Sequence, residues 1–289
     1  MTLLTDNLLD QEICPSCKAE YSGHYCPECG EKKLCREEMT LSYFFGSVWN
    51  ALTFTDIKFI RSFLALLFKP GFLTLEYFRG RRKLYTRPLA LFFFINLVYF
   101  LYQPVDALSS TYGSQVTGQF YSEWASDRVQ LSMEELNLSK AQFESRYNKM
   151  TEQVSKLFLI VFIFIMALGT ALINLNRQGL FFFHLVATTH FVSFSILTFF
   201  ILLPNVVLGI RKLYLFMVEG STLSFNYNAW YMTLPALILL WIYAFGMQRR
   251  LYAEGSIIHV LKASLLVLAF IITTLVYRLF LFVITTTLL

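Results

Sequence analysis

The sequence predicts an all-α integral membrane protein with about five transmembrane helices and a small N-terminal zinc ribbon. Three observations carry this prediction. The 289 residues are 56% hydrophobic and 15% charged, with a mean hydropathy of +0.54. Soluble domains carry about 25% charged residues, so this much apolar surface points to a bilayer as the solvent. A basic stretch from Lys69 to Arg87 is followed at once by an uncharged run from Pro88 to Pro104, the pattern found at the cytoplasmic edge of a span. Four cysteines near the start form two Cys-x-x-Cys pairs, Cys14/Cys17 and Cys26/Cys29.

Residues 1–36 read as a leader and the ribbon. The first dozen residues are polar and acidic and lack the basic and apolar regions of a signal peptide, so the first span is expected to act as its own insertion signal. Each Cys-x-x-Cys turn aims two thiolates at one point, and two such turns complete a tetrahedral site for zinc. Pro15 and Pro27 follow the first cysteine of each pair, and Gly30 follows the second pair, which favours tight knuckles. Four ligands close such a site and leave no position open for catalysis. Two disulfides are the alternative, disfavoured on the reducing side of a membrane. His24 is either a solvated loop residue or a replacement ligand, and Cys35 has no assigned role.

Residues 37–87 read as interfacial helices and a basic juxtamembrane stretch. After an apolar piece, Leu41 to Trp49, Thr55-Asp56 offers an N-cap to a helix over Ile57 to Phe68. Lys58, Arg61, Ala65 and Lys69 fall on one stripe of it. Such a basic amphipathic helix lies in the inner interface, packs on the spans, or does both. Pro70-Gly71 ends it, and a short helix from Phe72 to Arg79 is capped by Gly80. Arg79, Arg81, Arg82, Lys83, Tyr85 and Arg87 form a candidate lipid or anion site, because arginine forks suit phosphate oxygens. The plainer alternative is an orienting anchor with tyrosines in the aromatic belt.

Residues 88–289 read as the transmembrane domain, with spans near 88–103, 157–175, 181–203, 230–247 and 257–285. The loop charges place the N-terminus inside and the C-terminus outside: Arg177, Arg249 and Arg250 are then cytoplasmic, while Arg211 and Lys212 run against the trend. A further span hidden in 204–218 would reverse the last loops. The insert 104–156, with seven acids and five bases, is extracytoplasmic. Ser132-x-x-Glu135 and Ser139-x-x-Gln142 both read as capping boxes. From Lys140 no breaker appears until the second span ends, so that helix should project outward by about 25 Å. Its stripe of Phe143, Tyr147, Met150 and Val154 calls for a covering helix from 118–138. Within the spans, His184 and His190 do not share a helix face, and snorkelling accounts for His259, Lys262 and Arg278.

The two knuckles, together with Pro70, Gly71, Tyr77, Gly80, Arg82, Tyr85 and Pro88, resemble an uncharacterised family of bacterial membrane proteins catalogued as a domain of unknown function. That resemblance implies architecture and no activity. The net charge of +5 does not point to nucleic acid, because half of the 24 basic residues precede Pro88, where anionic headgroups are the natural partner. No Ser-His-Asp set, His-Glu-x-x-His helix or phosphate-cradling glycine loop is present. The sequence therefore favours a non-enzymatic, multi-pass inner-membrane protein whose zinc ribbon docks a cytoplasmic partner. The alternative is a transporter or lipid-handling protein that binds an anionic or phosphorylated lipid near the inner interface. A lipid-modifying enzyme would need polar groups from separate spans to converge on one pocket. Assembly into a homo-oligomer is compatible with all three.

Overall fold

The computed structural model describes residues 12–32, 57–102, 110–175, 180–217 and 230–289. The leader, Cys35, the Leu41 to Trp49 piece, Thr55-Asp56 and Arg177 lie outside the described residues. A small antiparallel ribbon, β1 (Glu12–Ile13) and β2 (Glu20–Tyr21), is followed by helices α1 (Ile57–Phe68), α2 (Phe72–Phe78), α3 (Pro88–Tyr102), α4 (Tyr112–Thr117), α5 (Ser122–Glu135), α6 (Lys140–Ile173) and α7 (Phe181–Ile196). A π-helical turn, Leu197–Leu202, leads into α8 (Leu203–Met217), and α9 (Trp230–Leu251) and α10 (Ser256–Leu288) complete the chain. Among the described residues, Lys140–Ile173, Phe181–Tyr214 and Ser256–Leu288 are long and apolar enough to cross a membrane, and Pro88–Tyr102 is a shorter apolar helix.

The central helix is α7. Every residue from His184 to Thr198 is buried, with α3, α6, α9 and α10 around it. Its polar residues fit there because their hydrogen bonds close locally. Thr189 Oγ1 donates to the Leu185 carbonyl (2.8 Å), Ser193 Oγ to that of Thr189 (2.7 Å), and Thr188 Oγ1 to Thr170 Oγ1 on α6 (2.9 Å). Aromatic rings fill the rest: Phe194 stacks on Tyr243 at 3.7 Å and Phe191 meets Phe270 edge-on.

The expected end of this span at residue 203 is corrected by the structure. Pro204 does not stop the helix, and residues 204–217, read as loop, are helical. Proline has no N–H for the carbonyl four residues back, and its ring crowds that carbonyl. The chain relieves this by widening the preceding turn to π geometry, a common device where a helix must continue.

The longest pairing is α6 with α10. Tyr277 is buried at their contact, its hydroxyl donating to the Ser155 carbonyl at 3.1 Å and its ring edge-on to Phe162. At the end away from the ribbon, α4 and α5 cover Phe143 and Tyr147, and Phe282 of α10 joins that cluster. Ser139 starts α6, with its amide donating to Gln142 Oε1 at 3.0 Å. The second capping box is not formed. Helix α5 already begins at Ser122, so Ser132 sits in its last turn, and its hydroxyl donates back to the Arg128 carbonyl at 3.0 Å.

The ribbon end is organised by Pro70-Gly71. Gly71 is left-handed at φ 72°, and a Cβ there would lie 3.3 Å from the Met247 backbone. Across the contact, a Cβ on Gly246 would lie 3.1 Å from Pro70 Cγ, and Arg250 Nη1 donates to the Pro70 carbonyl at 2.8 Å. This close approach wedges α2 between α7 and α9, with Phe78 against Phe182 and Phe183. Gly71→Ala should destabilise the solubilised protein by about 1–2 kcal/mol, from backbone strain. Gly113→Ala, where no atom lies within 4 Å, should leave thermal unfolding unchanged or raise its midpoint. Equal midpoints for both variants would refute this reading of Gly71.

Candidate metal centre and its basic cradle

Both knuckles have the same backbone construction. The Lys18 amide donates to the Cys14 carbonyl (2.9 Å) and the Gly30 amide to that of Cys26 (2.7 Å). Lys18 and Gly30, each directly after a second cysteine, are left-handed at φ 68° and 66°. This turn brings the thiols together: all four Sγ atoms lie within 4.8 Å of one another. The short approaches run between the knuckles, Cys14 to Cys29 and Cys17 to Cys26, each 3.5 Å. A tetrahedral ion with metal–sulfur bonds of about 2.3 Å sets sulfur edges of about 3.8 Å, so the four residues fit one shared metal ion. Two disulfides within the pairs do not describe this arrangement, and all four cysteines are free.

The electrostatics of the four thiols point the same way. Burial opposes ionisation of Cys14, but the Cys17 and Ser16 amides outweigh it and bring this thiol down to about 7. The ribbon is thin, so water stays close even to covered groups. For Cys29 the Glu31 amide favours the thiolate, yet burial and the three neighbouring sulfurs push it up to about 12. Cys17 is also raised, despite help from the Ala19 amide. One negative charge is accommodated easily and the next ones resist, which is the repulsion that a shared cation removes.

Around this centre the basic stretch forms a cradle. Glu31 is 3% exposed and accepts from two donors: Ser16 Oγ (2.7 Å) and the Lys83 amide, which is shared between both its oxygens (3.1 and 3.0 Å). Arg81 Nε donates to the Pro15 carbonyl at 2.9 Å, while its Nη1 donates to Glu76 at 2.8 Å. Glu76 is 1% exposed and also holds Arg79 at 3.0 Å. Gly80, at φ 81°, passes beneath Pro15.

The structure divides the six sequence-predicted anion-site residues. Arg79 and Arg81 are held by Glu76, and Lys83 lies at the ribbon, its Nζ beside Gly30. Arg82, Tyr85 and Arg87 line a cleft of about 10 Å³ with Tyr77 and His190, space for about one water molecule. Arg82 lies over the Tyr77 ring at 4.7 Å, and Thr74 Oγ1 bonds His190 Nδ1 at 2.9 Å.

Of the two acids that assemble this unit, sequence reasoning gave no role to Glu76, the single acid of the basic stretch, and missed Glu31. It also missed a buried polar group at the neighbouring helix ends. Lys262 does not snorkel. Its Nζ pairs with Glu254 at 2.7 Å and donates to Asn174 Oδ1 at 3.2 Å. Tyr252, beside that pair, bonds His184 Nδ1 through its hydroxyl at 3.1 Å.

Residues 56–100 match the family model described as protein of unknown function (DUF3667). The match spans α1, α2, the basic cradle and most of α3. No curated protein and no solved structure matches the chain.

Removing the Glu31 carboxylate should detach the cradle without emptying the metal site. In Glu31→Ala, bound metal should be unchanged, and hydrogen exchange at the Lys83 amide should quicken at least tenfold, the equivalent of about one hydrogen bond to a charged group. Unchanged exchange would mean that the ribbon is held by other contacts.

Proposed function

We propose that this chain is a non-enzymatic, multi-pass membrane protein that carries zinc in its four-cysteine site and docks a cytoplasmic protein partner through the ribbon. The spans are five, with Pro88–Tyr102 and Trp230–Leu251 joining the three long ones, and the N-terminus faces the cytoplasm of the cell bounded by this inner membrane. One observation carries the docking reading. The ribbon is fixed to the membrane domain through Arg81 and Glu31 on one side, while Ile13 and Tyr25 elsewhere on it are 64% and 61% exposed. A closed four-thiolate site has no coordination position for substrate, so zinc here shapes a surface. The second reading, a transporter or lipid-handling protein for an anionic lipid, is favoured by the clefts along α1 described below.

Two measurements test the zinc and docking parts. Zinc should be present at one ion per chain and lost in Cys14→Ser/Cys17→Ser; a chain that retains it would overturn the assignment. A photo-crosslinking residue at position 25 should give one discrete protein adduct in cells, abolished by Ile13→Asp. Lipid adducts alone would argue against docking.

Zinc affinity should also depend on pH in a defined direction. Cys17 and Cys29 are held in the thiol form in the metal-free ribbon, so binding releases at least two protons. Acidification by one pH unit should then weaken apparent affinity by about a hundredfold or more, read by competition with a chromophoric chelator between about pH 6.5 and 7.5. A flat profile would show that the thiols are already ionised.

A further inference from the structure

We propose that α1 carries a binding site for one anionic phospholipid, with the phosphate at Arg61 and Lys69 and an acyl chain in the groove between α1, α3 and the π-helical turn. It rests on the lipid-handling reading, keeps Tyr85 but moves the phosphate from the cations of residues 79–87 to those of α1 and its end, and holds whatever the ribbon docks.

Two clefts of about 320 Å³ each flank α1. The first is lined only by apolar side chains, among them Phe59, Phe63, Phe94, Val98, Leu197 and Ile201. Leu197, Ile201 and Leu202 of the π-helical turn form its wall opposite α1. Phe59 against Phe94 at 4.2 Å, and Ser62 Oγ accepting the Thr86 amide at 2.8 Å, hold α1 in place. The second cleft contains Arg61, Lys69 and Tyr85 together with Phe68 and Phe72. Leu64 lines both clefts, so a chain leaving the basic mouth passes over Leu64 into the apolar groove.

Charge decides the occupant. Arg61 and Lys69 are exposed, make no ion pair among the described residues, and share their cleft with no carboxylate. In contrast, Arg79 and Arg81 are already committed to Glu76. Beside the clefts, Ile60, Leu64 and Phe68 form an exposed ridge (63%, 50% and 75%). An apolar ridge with a cationic flank suits a helix at the headgroup boundary, where a phosphate meets arginine and lysine while its acyl chain stays in hydrocarbon. A soluble anion would satisfy the mouth and leave the groove unfilled; a second helix would fill the groove and leave Arg61 and Lys69, the latter over the Phe72 ring, without a counter-charge.

The test is lipid retention by the full-length protein in nanodiscs made of phosphatidylcholine with one tenth phosphatidylglycerol, extracted into mild detergent and read by native mass spectrometry. One retained phosphatidylglycerol per chain is expected, enriched at least tenfold over phosphatidylcholine. Arg61→Gln/Lys69→Gln should abolish that preference, and Val98→Trp should reduce retention of both lipids, with the metal mass intact in each variant as the sign of a folded chain. Glycerol phosphate, which has the headgroup without the chains, should not compete. Loss of the preference in Arg82→Gln/Arg87→Gln, with none in Arg61→Gln/Lys69→Gln, would overturn this site and leave the lipid-handling reading standing. Equal retention of the two lipids, or a dimer free of lipid, would sink both.

Discussion

The buried carboxylate of Glu76 is the constraint on which the ribbon end depends. A carboxylate with 1% exposure is tolerated only if opposite charge and hydrogen bonds replace the lost water, and removing one partner of such a pair typically costs about 3–5 kcal/mol. Arg79 reaches it from the C-cap of α2, but Arg81 must fold back over Gly80 to do so. That reversal turns Arg81 Nε toward the Pro15 carbonyl of the first knuckle and lines up the Lys83 amide with Glu31 of the second. Neutralising one acid beside α2 thus also positions the metal centre.

This changes what the basic stretch is for. As a row of charges it reads as an anchor for the membrane surface. In the folded chain, Arg79 and Arg81 are spent on Glu76 and Arg82 lies over Tyr77. Arg61 of α1 and Lys69 at its end, by contrast, make no ion pair among the described residues. A cluster of cations near a span can therefore satisfy an orientation rule in the nascent chain and a packing requirement in the folded one.

The features legible in the sequence were those set by short-range chemistry. Cysteine spacing located the knuckles, Pro70-Gly71 marked the break between α1 and α2, and the unbroken run from Lys140 announced one long helix. What escaped was long-range or competitive. Glu31 and Lys83 are 52 residues apart, and nothing in either segment names the other. Lys262 looked like a snorkelling cation because its acid, Glu254, lies in the connection before the helix. Ser132 had the right spacing for a cap, but an earlier start at Ser122 had already enclosed it. The span continued past residue 203 because the helix takes up Pro204 with a π-helical turn, Leu197–Leu202, a change of pitch with no mark in the apolar run.

The polar residues of the bundle follow one rule, and it bears on how the four-cysteine ribbon is supported. In an apolar surround, a hydrogen bond between helices is favoured mainly because the alternative is an unsatisfied group, so each such pair selects one helix register. Thr74 with His190 fixes α2 on α7, His184 with Tyr252 fixes α7 on the end of α9, and Lys262 with Asn174 and Glu254 fixes α10 on α6. These pairs tie five helices together near the ribbon end; at the opposite end Asn148 with the Tyr112 amide, Gln115 with the Arg278 carbonyl and Tyr121 with Gln115 do the same beside the aromatic cluster of Phe143, Tyr147 and Phe282. The cradle that carries the cysteines is therefore joined to the central helix through α2, by the bond between Thr74 and His190 and by Phe78 against Phe182.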